Sequence, residues 1–188
     1  MLRRRFLAVT AALASAPLLA FDADLWQRLQ SGGYVLLIRH AATIPGIGDP
    51  PGFRLGVCST QRNLSEQGRR DAHAIGAAFR DRGIPLGAVL SSRWCRCLDT
   101  ARLAFGRVEE APMLDSMFND GEAAKRAKLR EVLGRVNAFG SEAGKTNLVL
   151  VTHDVNIRAL VGELVAQGEI VVARPGSNRL EVVGRLRA

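Results

Sequence analysis

Three short apolar runs, each stopping on a charged or hydroxylated side chain, constrain this chain more than anything else in it. Tyr34-Val35-Leu36-Leu37-Ile38 is followed at once by Arg39-His40. Val89-Leu90 leads into Ser91-Ser92 and then Arg93-Trp94-Cys95-Arg96, and Leu148-Val149-Leu150-Val151 ends in Thr152-His153-Asp154. Aliphatic and β-branched runs without alternation read as strands buried on both faces, the habit of parallel sheets covered by helices. In such sheets ligands bind outside the carboxyl ends of the strands. A guanidinium beside an imidazole ends a hydrophobic strand badly and begins an anion site well. Taken alone, Arg39-His40 is equally a strand surfacing at a polar edge. The recurrence of the pattern favours a site, because two of the chain's three histidines, His40 and His153, stand at such ends.

Helical patterns separate the runs. Ser65 is a good N-cap with Glu66 in the first turn, and Ala72, Ile75, Gly76 and Phe79 follow at i, i+3, i+4 and i+7. The spacing predicts a helix to about Arg82, stopped by Gly83. Further helices are expected over 22–31, 94–104, 123–139 and 154–165. Strands are expected over 85–92 and 108–111, and over 170–173 and 180–186 as a hairpin around Pro175-Gly176-Ser177-Asn178 at the sheet edge. His73 falls on a polar helix face and reads as a solvated histidine without a role. Ile44 to Thr60, rich in Gly and Pro, reads as a long loop, either the wall of a pocket or a plain surface excursion. At 188 residues, without internal repeats or linkers, the chain has the size of one domain.

The N-terminus has a different character. Arg3-Arg4-Arg5 precedes a mildly apolar, alanine-rich stretch from Phe6 to Leu19, too short for a membrane span and patterned like a secretory signal. Arg3-Arg4-Arg5-Phe6-Leu7 resembles a twin-arginine signal. The expected organisation is a signal peptide over 1–20 and a domain over 21–188, exported to the periplasm or secreted, with no stable membrane span in the mature chain. Removing residues 1–20 takes away three arginines and no acid, leaving 23 basic against 18 acidic side chains. That balance suits a small anionic substrate and lacks the clustered basic face of a nucleic-acid binder. Oligomeric state leaves no trace in the sequence.

Three cysteines, Cys58, Cys95 and Cys97, cannot all pair within one chain. Export permits a disulfide. Cys95 and Cys97 are too close to bridge comfortably in a helix, so Cys58 with Cys95 and Cys58 with Cys97 both stay open. Arg93 and Arg96 would activate a neighbouring thiol, which makes a nucleophilic cysteine a second possibility beside a structural one.

Taken together, the motifs resemble one family. Arg39-His40-Ala41-x-Thr43, Ser91-Ser92-x-x-x-Arg96-Cys97-x-x-Thr100-Ala101 and Thr152-His153-x-x-Asn156-Ile157 are similar to the three signatures of the histidine phosphatase superfamily, the phosphoglycerate-mutase-like group. Asn63-Leu64-Ser65-Glu66-Gln67-Gly68-Arg69-Arg70 is similar to that family's approach to its first long helix. The resemblance spans Tyr34 to about Ile157. It implies an α/β fold, a three-layer sandwich with a mostly parallel central sheet flanked by helices. It further implies a phosphomonoesterase in which His40 attacks phosphorus to form a phosphohistidine. His153 would hydrogen-bond the transferring phosphoryl group, and Arg39 and Arg96 would bind its oxygens. No metal or other cofactor is implied; a metal site of His40, His153 and Asp154 is the competing arrangement, disfavoured by the adjacent arginines. The proton donor departs from the pattern of the mutase-like branch, where the matching position, after Leu114-Asp115, is Ser116. Asp154 takes first place by similarity to the acid-phosphatase branch, with Asp115, Asp120 and Glu122 behind it. A phosphoryl-transfer mutase and a catalytically silent phosphate-binding module remain as alternative functions. The stretch Cys58 to Asn63 is similar to a lipopolysaccharide-core heptose phosphatase branch, which offers a lead to the substrate.

Overall fold

The computed structural model describes residues 16–142, 144–177 and 179–188. The expected signal peptide lies outside them except for the backbone of residues 16–20, which enters the first helix. Six strands form one sheet: β1 (Val35–Arg39), β2 (Leu86–Ser91), β3 (Glu109–Glu110), β4 (Asn147–Thr152), β5 (Ile170–Pro175) and β6 (Leu180–Leu186). Five helices cover it: α1 (Ala16–Leu29), α2 (Glu66–Asp81), α3 (Cys95–Phe105), α4 (Glu122–Glu142) and α5 (Asp154–Val161). The strand order is β3-β2-β4-β1-β5-β6. β1 to β4 run parallel, β5 returns antiparallel to β1, and β6 closes the sheet antiparallel to β5.

The two faces separate by residue parity, as the period of two in a strand requires. Leu36 and Ile38 of β1 and Val149 and Val151 of β4 pack under α1, α2 and α3 with Leu25, Leu29, Ile75, Phe79 and Ala101. Val35, Leu37, Leu148 and Leu150 face the other way, onto Val132, Val136 and Phe139 of α4 and Ile157 of α5. This is the three-layer α/β sandwich that the resemblance implies, with the apolar runs as its central strands. Two boundaries differ from expectation. α1 begins at Ala16 and not near Asp22, so a cut after Ala20 would fall inside it and leave Leu25, Trp26 and Leu29 to pack on the sheet. α5 stops at Val161 because Gly162 takes a left-handed conformation and its N–H caps Arg158 O, a better terminator than the apolar residues beyond it are propagators.

The segment between β1 and α2 is closed at its ends by an antiparallel bridge of Thr43 with Leu64, and Ile44 N–H donates to Asn63 O. α2 meets the chain just after His40 very closely. A Cβ on Gly68 would lie 1.8 Å from Ala42 O, so only glycine permits the approach. Ser65 caps α2 as the spacing predicts, its hydroxyl accepting the Gly68 N–H.

Candidate active site

The carboxyl ends of β1, β2 and β4 bring three separate stretches of sequence together. His40 N–H donates to Thr152 O and Ser92 N–H to Val151 O, so each continues the ladder one residue past its strand. His40, Ser92 and His153 therefore sit side by side at one edge of the sheet, all buried. The two imidazole centroids are 5.6 Å apart.

His40 has its orientation fixed by the backbone. Its Nδ1 lies 2.9 Å from Ala41 O, and since a carbonyl only accepts, Nδ1 carries the proton and Nε2 keeps its lone pair. Burial pushes the His40 pKa down to about 3, against the Ala41 hydrogen bond and together with Arg96, Arg39 and Arg62. His153 is likewise held well below its usual value, by burial first and then by His40, Arg96, Arg39 and Lys128. Both rings are neutral near pH 7. One is thus free to act as a nucleophile and the other to donate a hydrogen bond.

The histidines line a cavity of about 590 Å3. Arg39, Arg62 and Arg96 line it too, with Asp49, Asp154 and Asp120, the last held by Lys128 at 2.7 Å. Counting Lys128, four cations meet three carboxylates among the described residues, an excess of one positive charge. Arg39 Nη1 donates to Val165 O at 2.7 Å and Arg96 Nη1 to Asp49 Oδ1 at 2.8 Å. The Nε–H groups of both arginines are buried without a partner among the described residues. A buried N–H left unbonded is costly, and two beside a pair of neutral histidines are what an anion of tetrahedral oxygens would satisfy. Ile47, Phe53, Trp94 and Phe118 supply an apolar mouth above the charged floor.

The structure gathers Arg39, His40, Arg96, His153 and Asp154 in this one cavity. Asp154 opens α5, half-buried, with Oδ2 3.7 Å from Arg39 Nη2. Of the other acids considered as donors, Asp120 reaches the cavity, whereas Asp115 and Glu122 do not line it. Asp115 is consumed by Arg93, accepting its backbone N–H at 2.9 Å and its Nε at 2.8 Å, and Glu122 pairs with Lys125 on the surface. Thr100 and Asn156 serve as scaffold: Thr100 Oγ1 accepts the Ala41 N–H, and Asn156 Nδ2 donates to Asp115 O.

The sequence reading missed Arg62 and Asp49. Asp49 takes Arg96 Nη1 and the Arg62 N–H on Oδ1 and the Trp94 indole N–H on Oδ2, and Arg62 Nη1 donates to Thr43 Oγ1. Both lie in the loop after β1, where no periodicity marks a residue; the position of Arg62 directly before Asn63-Leu64-Ser65 was the one available signal. The loop is the wall of the pocket and not a surface excursion. It is tied to α3 by a disulfide between Cys58 and Cys95, which leaves Cys97 as the free thiol. Burial pushes the Cys97 thiol up to about 12, which removes it as a nucleophile near neutral pH. Among the described residues no three His, Cys, Asp or Glu side chains group as metal ligands, and no helix is long and apolar enough to cross a membrane.

Comparison with known proteins gives one family profile and a set of similar folds. Residues 35–120 match the profile of the histidine phosphatase superfamily (branch 1). The fold is similar to that of the protein histidine phosphatase SixA in its tungstate complex, with 15% identity and a TM-score of 0.60 over 82% of this chain and 96% of that one. It is similar also to the alpha-ribazole phosphatase of Shigella flexneri, with 18% identity and a TM-score of 0.60 over 82% and 96% of the two chains. YhfR of Bacillus stearothermophilus gives 15% identity and a TM-score of 0.59 over 80% and 95%. At these identities the likeness establishes the fold. No curated protein matches the chain in sequence.

Proposed function

We propose that this chain is a histidine phosphatase of branch 1, a phosphomonoesterase that works through a phosphohistidine on His40 without a metal. The observation that carries the reading is the pair of buried Nε–H groups of Arg39 and Arg96, without a partner among the described residues, flanking two neutral histidines. The arginines take the phosphoryl oxygens. His40 Nε2 attacks phosphorus in line, the N–P bond forms, and the P–O bond to the alcohol breaks. Asp154 gives a proton to the departing oxygen. Water then attacks phosphorus and returns a proton to Asp154, the N–P bond breaks, and inorganic phosphate leaves with His40 neutral again, its Nδ1–H donating to Ala41 O throughout. Arg62 and the N–H donors around the site replace the charge neutralisation a metal would supply in other phosphoryl-transfer sites.

Export belongs to the same proposal. Its supports are the basic and alanine-rich N-terminus and the Cys58–Cys95 disulfide, a bond that persists in oxidising compartments. Fractionation of cells expressing the full chain tests it, and a full-length protein confined to the cytosol would refute it.

The catalytic reading is tested by rapid quench. During turnover of a chromogenic phosphomonoester an acid-labile phosphoryl group should appear on His40, and His40→Ala should abolish both the adduct and the activity. An active His40→Ala protein, or an adduct on any other residue, would overturn it.

A further inference from the structure

Above its arginines the cavity changes character. The ring centroids of His40 and His153 lie 5.6 Å apart, those of His153 and Trp94 5.5 Å, and those of Trp94 and Phe53 5.8 Å. Rings in edge or tilted contact therefore line one wall from the charged floor to the rim. The one polar atom of the Trp94 side chain, its indole N–H, is given to Asp49 Oδ2 at 2.9 Å, so Trp94 has only carbon left to show the cavity. Ile47 and Phe118 join the rim from two separate segments of the chain, and they are 93% and 61% exposed. Two of the polar side chains nearby are already engaged: Lys128 holds Asp120 at 2.7 Å, and Gln167 Nε2 donates to Thr43 Oγ1 at 3.1 Å. Large apolar side chains left in water at the rim of an anion site are surface that a bound molecule can cover.

Resting on the phosphatase reading above, we infer that the substrate is a phosphomonoester of an apolar alcohol, its phosphoryl group on Arg39 and Arg96 and its hydrocarbon against Trp94, Phe53, Ile47 and Phe118. At about 590 Å3 the cavity has room for such a group beside the phosphate. A ring or hydrocarbon chain in the mouth gives up little to water and covers carbon that is otherwise wet. A sugar or polyol in the same place surrenders hydrogen bonds to water along a wall with few groups to replace them. An apolar ester is a different substrate class from the heptose phosphate to which Cys58 to Asn63 led.

Esters of primary alcohols test this while keeping the leaving group nearly constant. For phenylethyl phosphate kcat/KM should exceed that for glycerol phosphate by about tenfold or more. Phe118→Ala, at an exposed position, should shrink that preference by raising KM for the phenylethyl ester. Equal kcat/KM for the two esters, or a preference for the glycerol ester, overturns the inference. So does a preference that both Phe118→Ala and Ile47→Ser leave intact. If no ester is hydrolysed, the phosphatase reading fails instead, and calorimetry with the unreactive phenylpropylphosphonate and methylphosphonate still decides the mouth. Tighter binding of the phenylpropyl compound supports an apolar ligand, and equal binding, or none, overturns it.

Discussion

Asp49 Oδ1 lies 2.8 Å from Arg96 Nη1, and both side chains are nearly withdrawn from solvent, 8% and 5% exposed. Burial pushes the Asp49 carboxyl pKa up, but hydrogen bonds from the Arg62 N–H, Arg96 and Trp94 outweigh it and hold the group below its usual value. Asp49 therefore stays charged near neutral pH, and it aims Arg96. Removing one partner of a buried pair commonly costs about 3–5 kcal/mol. Asp49→Asn keeps some of the hydrogen bonds, so the expected result is a smaller loss of stability and at least a roughly tenfold fall in kcat/KM. Because the folded pKa lies below the unfolded one, the charge of Asp49 stabilises the fold above the unfolded value. That contribution is lost only as the pH falls through the folded value, below about 4. Denaturant melts and steady-state kinetics of the variant check both parts.

The buried histidines impose a different pH dependence. Their folded pKa values lie below 6.5, reaching about 3 for His40, so between those limits the unfolded chain binds more protons than the folded one. Stability then rises with pH across this window and declines on acidification, by about 1.4 kcal/mol per pH unit for each histidine. Melts from pH 7 to pH 4 should show a steep loss, and a variant with His40 replaced by Asn should show a shallower one. Equal slopes in the two proteins would mean that His40 is not held neutral by the fold.

The disulfide links an exposed Cys58 to a buried Cys95, 37 residues on and directly before Arg96. Closing a loop of that length contributes roughly 3–4 kcal/mol in the chain-entropy account. Reduction, or Cys58→Ser, should lower the melting temperature and raise KM, since the loop that carries Asp49 and Arg62 loses a tether to α3. Melts and kinetics with and without reductant read this, and an unchanged KM would show that the loop keeps its place without the bond.

Asp154 as proton donor predicts a leaving-group contrast. Asp154→Asn should slow hydrolysis of alkyl phosphates by roughly 10²–10⁴-fold and leave nitrophenyl phosphate nearly indifferent, because a nitrophenolate departs with little protonation. Equal slowing would reduce Asp154 to an orienting group for Arg39, and Asp120, the other acid lining the cavity, would be tested next in the same way.

Gly68→Ala tests the packing behind His40, the proposed nucleophile. The added methyl would run into Ala42 O, so α2 must shift away from the segment that follows His40. A loss of about 1–3 kcal/mol is expected, with a fall in kcat, both read from melts and kinetics.

Most of the fold was legible because its strands are apolar runs and its helices carry caps and periodic faces. Ser65, Gly83 and the run from Leu148 to Thr152 each mark a boundary locally. Arg39, His40 and His153 stood out at strand ends, whereas Arg96 and Asp154 came from the resemblance to the histidine phosphatase signatures; the structure brings all five to one cavity. Asp49 and Arg62 were not, because loop residues reach a site through tertiary closure, which here depends on a bridge at Thr43 and a disulfide at Cys58. The choice between Cys95 and Cys97 likewise depended on which thiol the folded loop could approach. Ser92 was visible as part of a motif, but a motif does not say that its hydroxyl lies beneath His153.

The closed loop between Thr43 and Leu64 has an evolutionary reading. Its ends meet at a fixed bridge, the arrangement that lets a loop be exchanged for another without disturbing the sheet beneath it. Yet Ile47 and Phe53, which shape the mouth, sit within a few residues of Asp49, which aims Arg96. On the proposed phosphatase reading, what the pocket admits and how fast it turns over are written in the same short stretch. A lineage changing its diet here would have to rewrite its catalyst as it went.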